Sequence, residues 1–251
     1  MTDQTAPAAS AQVTHDLNRM LQVLQAYPAL ARALTDPGAA LSAKSGLVDR
    51  VFDSLAPQAR DLLKDGLNQS FASTTALLSW VETTSVMSAW KWAQATSVLE
   101  KSIDEVFEFG QMMLTDHELR ACVTDRRTPV HTRQELVRTL LAPAMTPCSV
   151  EVAAAAVSSR IGTIDEAIEA YVELGAQLAG GQVAVVTVAK PMPDDQKERL
   201  TKALQNRLGA KIIVEEVVNP TVLGGVRVEC GAQVIDSTLA ARLETARRSF
   251  A

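Results

Sequence analysis

Few residues in this chain have the types and spacing that reactive chemistry needs. His15, His117 and His131 are scattered, with no His-Glu-x-x-His pair and no cysteine at ligand spacing, so they encode neither a zinc-protease helix nor a zinc knuckle. Cys122, Cys148 and Cys230 are odd in number and far apart, which fits small buried thiols better than a disulfide framework. Gly224-Gly225 lacks the Lys-Ser/Thr of a phosphate loop and precedes a strand pattern instead of opening a helix; it reads as a bulge or tight turn. Asp194-Asp195 stands where a helix begins and reads as a cap, not a carboxylate dyad. No catalytic residue, cofactor or metal is expected, and the work of the chain is expected to be binding.

Two stretches carry candidate binding chemistry. Trp90 and Trp92 are close enough in sequence for one to face the core and the other a partner. At the C-terminal end, Asn219-Pro220 starts a turn, and Leu223-Gly224-Gly225 leads into Val226, Val228 and Cys230 alternating with Arg227 and Glu229, a half-buried strand. Gly231 turns the chain so that Val234 and Ile235 return as a second short strand. A helix then carries Leu239, Leu243, Ala246 and Phe250 on one stripe, with Arg242, Arg247 and Arg248 available to an acidic partner. Arg126-Arg127 reads as a solvated loop.

The elements that position these residues are mostly helical. Aromatics make up only 4% of the chain while alanine and leucine are plentiful, which favours helix packing over a sandwich. A net charge of -5 gives no reason to expect a polyanion, so nucleic acid is not an expected partner. No apolar run reaches the roughly 18 to 20 residues of a membrane span, and the first dozen residues lack the basic start and apolar core of a signal peptide.

Residues 1–11 read as a flexible tail, and helical periodicity starts near Asp16 with Leu17, Met20 and Leu24 on one face. Asp36-Pro37-Gly38 is a turn, and Gly180-Gly181 ends the helical region. Beyond it, Val183 to Val188 reads as a central strand, and Asp195 with Glu198 as a capping box for a helix bearing Leu200, Leu204 and Leu208. Ile212, Val214 and Val218 form the next strand. The predicted order there is β, α, β, β, β, α.

A repeat underlies the helical region. Adding 89 to the residue number pairs Leu17 with Val106, Gln22 with Gln111, Leu30 with Leu119, Thr35-Asp36 with Thr124-Asp125, Lys44 with Arg133, and Leu47-Val48 with Leu136-Val137. The agreement is polar as well as apolar across two turns, as in a duplicated helical unit.

From Asn219 to Phe250 the order of turn, Leu-Gly-Gly, strand, Gly, Val-Ile-Asp and arginine-bearing helix resembles the C-terminal signature of the ATP synthase delta family, relatives of the oligomycin-sensitivity-conferring protein. Thr238 stands where the family usually has serine, which keeps a hydroxyl. The resemblance implies an α+β chain: a mainly helical N-terminal region followed by a small mixed α/β domain. Within it, 12–80 would be an extra, partly duplicated helical block, 81–180 a six-helix bundle and 181–251 the C-terminal domain.

It further implies a non-catalytic peripheral-stalk subunit of F-type ATP synthase, on the cytoplasmic side of the membrane without insertion into it. The partners implied are the alpha, beta and b subunits. The N-terminal helix of an alpha subunit would lie in a groove lined by Trp90, Trp92, Ala153, Ala154 and Val157. The b stalk would meet Leu223, Gly224, Gly225, Arg242, Arg247 and Arg248. Two readings of other classes stand beside this one, a soluble enzyme or ligand-binding protein and a helical scaffold unrelated to ATP synthase.

Overall fold

The computed structural model describes residues 5–222, 224–231 and 233–236. Ten helices come first: α1 (Thr5–Ala26), α2 (Pro28–Thr35), α3 (Leu41–Val51), α4 (Pro57–Gly66), α5 (Thr74–Ala95), α6 (Leu99–Thr115), α7 (His117–Thr124), α8 (Val130–Leu141), α9 (Pro147–Ala156) and α10 (Ile164–Leu178). Strand β1 (Gly181–Val188), helix α11 (Asp194–Leu208) and strands β2 (Lys211–Val218), β3 (Val226–Cys230) and β4 (Gln233–Asp236) follow. The chain forms two compact units, Met1–Tyr171 and Val172–Ala251. The division thus lies inside α10, ahead of the Gly180-Gly181 stop where periodicity placed it.

The duplication is visible element by element. Shifted by 89, α2 falls on α7 and α3 on α8, while α4 and α5 start one residue before α9 and α10. The turns repeat down to single hydrogen bonds. Thr35 Oγ1 donates to the Ala31 carbonyl at 3.0 Å and Asp36 Oδ1 accepts from the Gly38 N–H at 2.8 Å. Thr124 Oγ1 donates to the Arg120 carbonyl at 2.7 Å and Asp125 Oδ1 accepts from the Arg127 N–H at 2.9 Å. These local bonds give the backbone an alternative to further helix, which is why both copies end a helix at the same place.

A buried carboxylate positions the fourth helix of each copy. Asp16 Oδ2 on α1 accepts from the N–H of Ala56, the N-cap of α4, at 2.8 Å. Glu105 Oε2 on α6 accepts from the N–H of Thr146, the N-cap of α9, at 2.8 Å. Both helices then begin with a proline, whose missing N–H costs nothing in the first turn. Leu17, Met20, Leu24, Leu34, Val48 and Leu63 fill the core of the first copy.

Two sequence expectations are corrected here. The stretch read as a tail is helical from Thr5; it is rich in alanine, and Pro7 lies in the first turn, where N–H groups have no intrahelical acceptor in any case. The capping box at Asp195 and Glu198 is not formed, because α11 starts at Asp194 with Pro193 as N-cap. Asp195 and Glu198 instead pair one turn on with Arg199 and Lys202, at 2.9 and 2.6 Å.

In the second unit the strand order is β2-β1-β3-β4, with β1 parallel to β2 and antiparallel to β3, and β3 antiparallel to β4. Ala184, Val186 and Val188 of β1 pack with Leu204 of α11 and Ile212 and Val214 of β2. Gly209 ends α11 at φ 69°, a left-handed conformation that a Cβ would strain.

Candidate functional site

The residues placed in a partner groove by resemblance lie on α5 and α9, with Val157 as the C-cap of α9, and the two helices pack against each other. Every residue of α9 from Cys148 to Ala156 is buried. Such a helix has neighbours on all sides. Ala153 and Ala154 are fully enclosed and Val157 is 9% exposed. Trp90 is fully buried and its Nε1–H donates to the Tyr171 carbonyl at 2.9 Å, so it is a core residue with its one polar atom satisfied. Trp92 is half-buried, and its ring meets His15 of α1 edge-on, with centroids 6.1 Å apart. Four of the five are therefore buried, and Trp92 alone keeps part of its surface exposed.

Helix α1 lies along α5 and covers it. Thr14 Oγ1 donates to Ser88 Oγ at 3.1 Å and Ser85 Oγ donates to Asn18 Oδ1 at 2.7 Å. Residue numbers rise on α1 as they fall on α5, so the two helices run antiparallel. Ser85, Ser88 and Ala89 are small and buried, which allows the close approach. From α1, Asn18 Nδ2 reaches Glu151 of α9 at 3.1 Å, and His15 Nδ1 stands 3.8 Å from the same carboxylate. Arg138 of α8 completes this cluster, donating from Nε to Glu151 at 3.0 Å. Burial works against the Arg138 charge, but Glu151 and Glu135 outweigh it and raise its pKa.

A second buried carboxylate, Glu82 of α5, accepts from Ser159 Oγ at 2.6 Å and from Tyr171 OH at 2.5 Å. Burial and the neighbouring carboxylate both raise the Tyr171 pKa, so the phenol stays a proton donor. Sequence reasoning missed Asp16, Glu82, Glu105 and Glu151. The available signal was an acidic residue at a core position of a helical stripe, as at Val81-Glu82.

In the second unit, Gly224 and Gly225 have φ of 83° and 87°, conformations that favour glycine. Leu223, Arg242, Arg247 and Arg248 lie outside the described residues. Among the described residues no group of three His, Cys, Asp or Glu side chains converges as a metal site, and no helix is long and apolar enough to cross a membrane. A hollow of about 480 Å³ between α7 and α8 is bordered by Cys122, Asp125 and Arg133. The Arg133 guanidinium is committed to the carbonyls of Val123, Thr128 and Val157, so it serves the fold there.

Comparison with known proteins places this architecture. Residues 87–250 match the family model described as ATP synthase delta (OSCP) subunit. The ATP synthase subunit delta of Streptomyces avermitilis is 34% identical over 100% of this chain and 92% of its own length. That of Cutibacterium acnes is 32% identical over 95% of this chain and 91% of its own, and that of Nocardioides sp. 33% over 96% and 88%. The similarity to these relatives thus extends through the first helical copy, ahead of the family-model match. The chain belongs to the ATP synthase delta (OSCP) subunit family.

Proposed function

We propose that this chain is the non-catalytic connector of the peripheral stalk in an F-type ATP synthase, on the cytoplasmic side of the membrane. It joins the alpha/beta head to the b stalk, so that the head does not turn with the central rotor. The observation that carries this reading is the full-length similarity to delta subunits, 34% over the whole chain in one case. The closed interior also favours it, because the buried carboxylates of Asp16, Glu82, Glu105 and Glu151 each accept internal hydrogen bonds that rigidify the helices.

In this reading the helical unit meets the alpha and beta subunits. The sheet unit meets the b subunit around Leu223, Gly224, Gly225, Arg242, Arg247 and Arg248. Purification of the tagged chain from its native membrane in mild detergent tests both assignments. Alpha, beta and b subunits are expected to co-purify, and recovery of b is expected to fall when Gly224-Gly225 and residues 237–251 are removed. Recovery of none of them, from membranes whose ATP synthase is intact, would overturn the reading.

A further inference from the structure

We infer that the outer face of α7 and α8 is a docking surface for an amphipathic helix of the head, one with a row of large apolar side chains and carboxylates at one end. This rests on the proposed contact between the helical unit and the head, and it assigns one face to that contact.

The two copies supply an internal comparison. Shifted by 89, Arg32 falls on Ala121, Arg50 on Thr139 and Asp53 on Ala142, and all six are exposed. The first copy therefore shows what this surface looks like when water covers it. In the second copy the same positions carry no charge, and between α7 and α8 lies the hollow of about 480 Å³ that Ala121, Thr132 and Leu136 border. Leu136 and Leu140, one turn apart on α8, are 43% and 48% exposed. Leu47, the counterpart of Leu136, packs against the first core instead. Loss of charge around two exposed leucines is the pattern of a surface that a partner covers.

Charge moves the other way at the turn. Pro37-Gly38 becomes Arg126-Arg127, and both arginines are exposed. Nearby, Arg120 pairs with Asp165, and Arg138 with Glu135 and Glu151; among the described residues Arg126 and Arg127 form no ion pair. In a chain of net charge -5 they make one cationic end on an apolar face, which selects a segment with its acidic end beside them. Two helices offer no free strand edge for backbone pairing, so the occupant is a helix laid along the groove between them.

Cys122 reports on this face. It is exposed and borders the hollow, whereas Cys148 and Cys230 are buried. The full chain, free and bound to delta-depleted head complex, is labelled with a maleimide, and the peptide carrying Cys122 is followed by mass spectrometry. Labelling is expected to slow about tenfold or more on binding, because a thiol under a docked helix is closed to the reagent. An unchanged rate in the bound chain would overturn the inference and leave the head contact to another face. No binding at all would remove the head-contact reading, and this inference with it. Protection that grows with the concentration of the free chain, as from a second copy, or that needs only the b subunit, would also overturn it.

A pair of substitutions tests the same face by affinity. Ala121→Arg with Thr139→Arg gives the second copy the arginines that the first carries at positions 32 and 50, so the fold has a precedent for both. Affinity for the head is expected to fall about tenfold or more. Val51→Arg, which charges the matching apolar site of the first copy, is expected to stay within about twofold of the parent. No loss from the pair, or an equal loss from Val51→Arg, would overturn the inference.

Discussion

Gly66 shows how closely the first copy is packed. It ends α4 and faces Trp80, whose ring is itself held edge-on by Phe71 at 5.9 Å between centroids. A Cβ built at Gly66 would overlap that ring, and the ring is a rigid plane that moves only as a whole. Gly66→Ala is therefore expected to destabilise the helical unit by about 1–3 kcal/mol, despite alanine's better helix propensity. Urea unfolding followed by tryptophan emission checks this. A variant as stable as the parent would mean that Trp80 has room to turn, and that glycine at this position is not dictated by packing.

At the scale of elements, the start of α9 depends on Glu105. Burial by itself would raise the pKa of this carboxyl, but hydrogen bonds from Ser149 and Thr146 outweigh burial, Lys101 adds to them, and the pKa lies below its ordinary 4.5. A carboxylate depressed in the folded state stabilises fully above its unfolded value, and that contribution is lost as pH falls through the folded one. Glu105→Gln is expected to cost about 1–3 kcal/mol at neutral pH. The gap between variant and parent should narrow below pH 4.5. Urea midpoints at neutral and acid pH measure it, and a gap independent of pH would remove the carboxylate's charge from the explanation. The sequence made some elements plain and hid others. Helices α2, α3, α7 and α8 each have a wet face and a polar turn, so periodicity and the repeat located them. Helix α5 gives only a weak pattern because water reaches few of its positions; Leu77, Val81, Ser85, Val86, Ala89, Trp90 and Ala93 point in different directions and all are buried. That is also why a boundary drawn between residues 80 and 81 falls within α5. The burial of Ala153 and Ala154 was illegible for the same reason, since alanines that would accept a foreign helix look like alanines already covered by the chain's own.

For the molecule as a whole, sharing α5 between the two copies has a mechanical consequence. The first copy uses α5 as the antiparallel mate of α1, and the second uses it as a neighbour of α6 and α9. Neither copy can lose its structure while the other keeps α5 intact, so the helical unit should unfold in one step. The sheet unit has its own core around Ala184, Val186 and Ile212. The three tryptophans, Trp80, Trp90 and Trp92, all lie in the first unit, whereas far-ultraviolet circular dichroism reports on both. Val186 is fully buried in β1, and Val186→Ala is expected to cost about 2 kcal/mol through lost burial and the cavity left behind. That loss should move the part of the dichroism transition belonging to the sheet unit and leave the tryptophan transition where it was. Gly66→Ala should do the reverse. If Val186→Ala shifted the tryptophan transition equally, the two units would be one cooperative body, and a stator that carries load through a single rigid piece would replace one built from two.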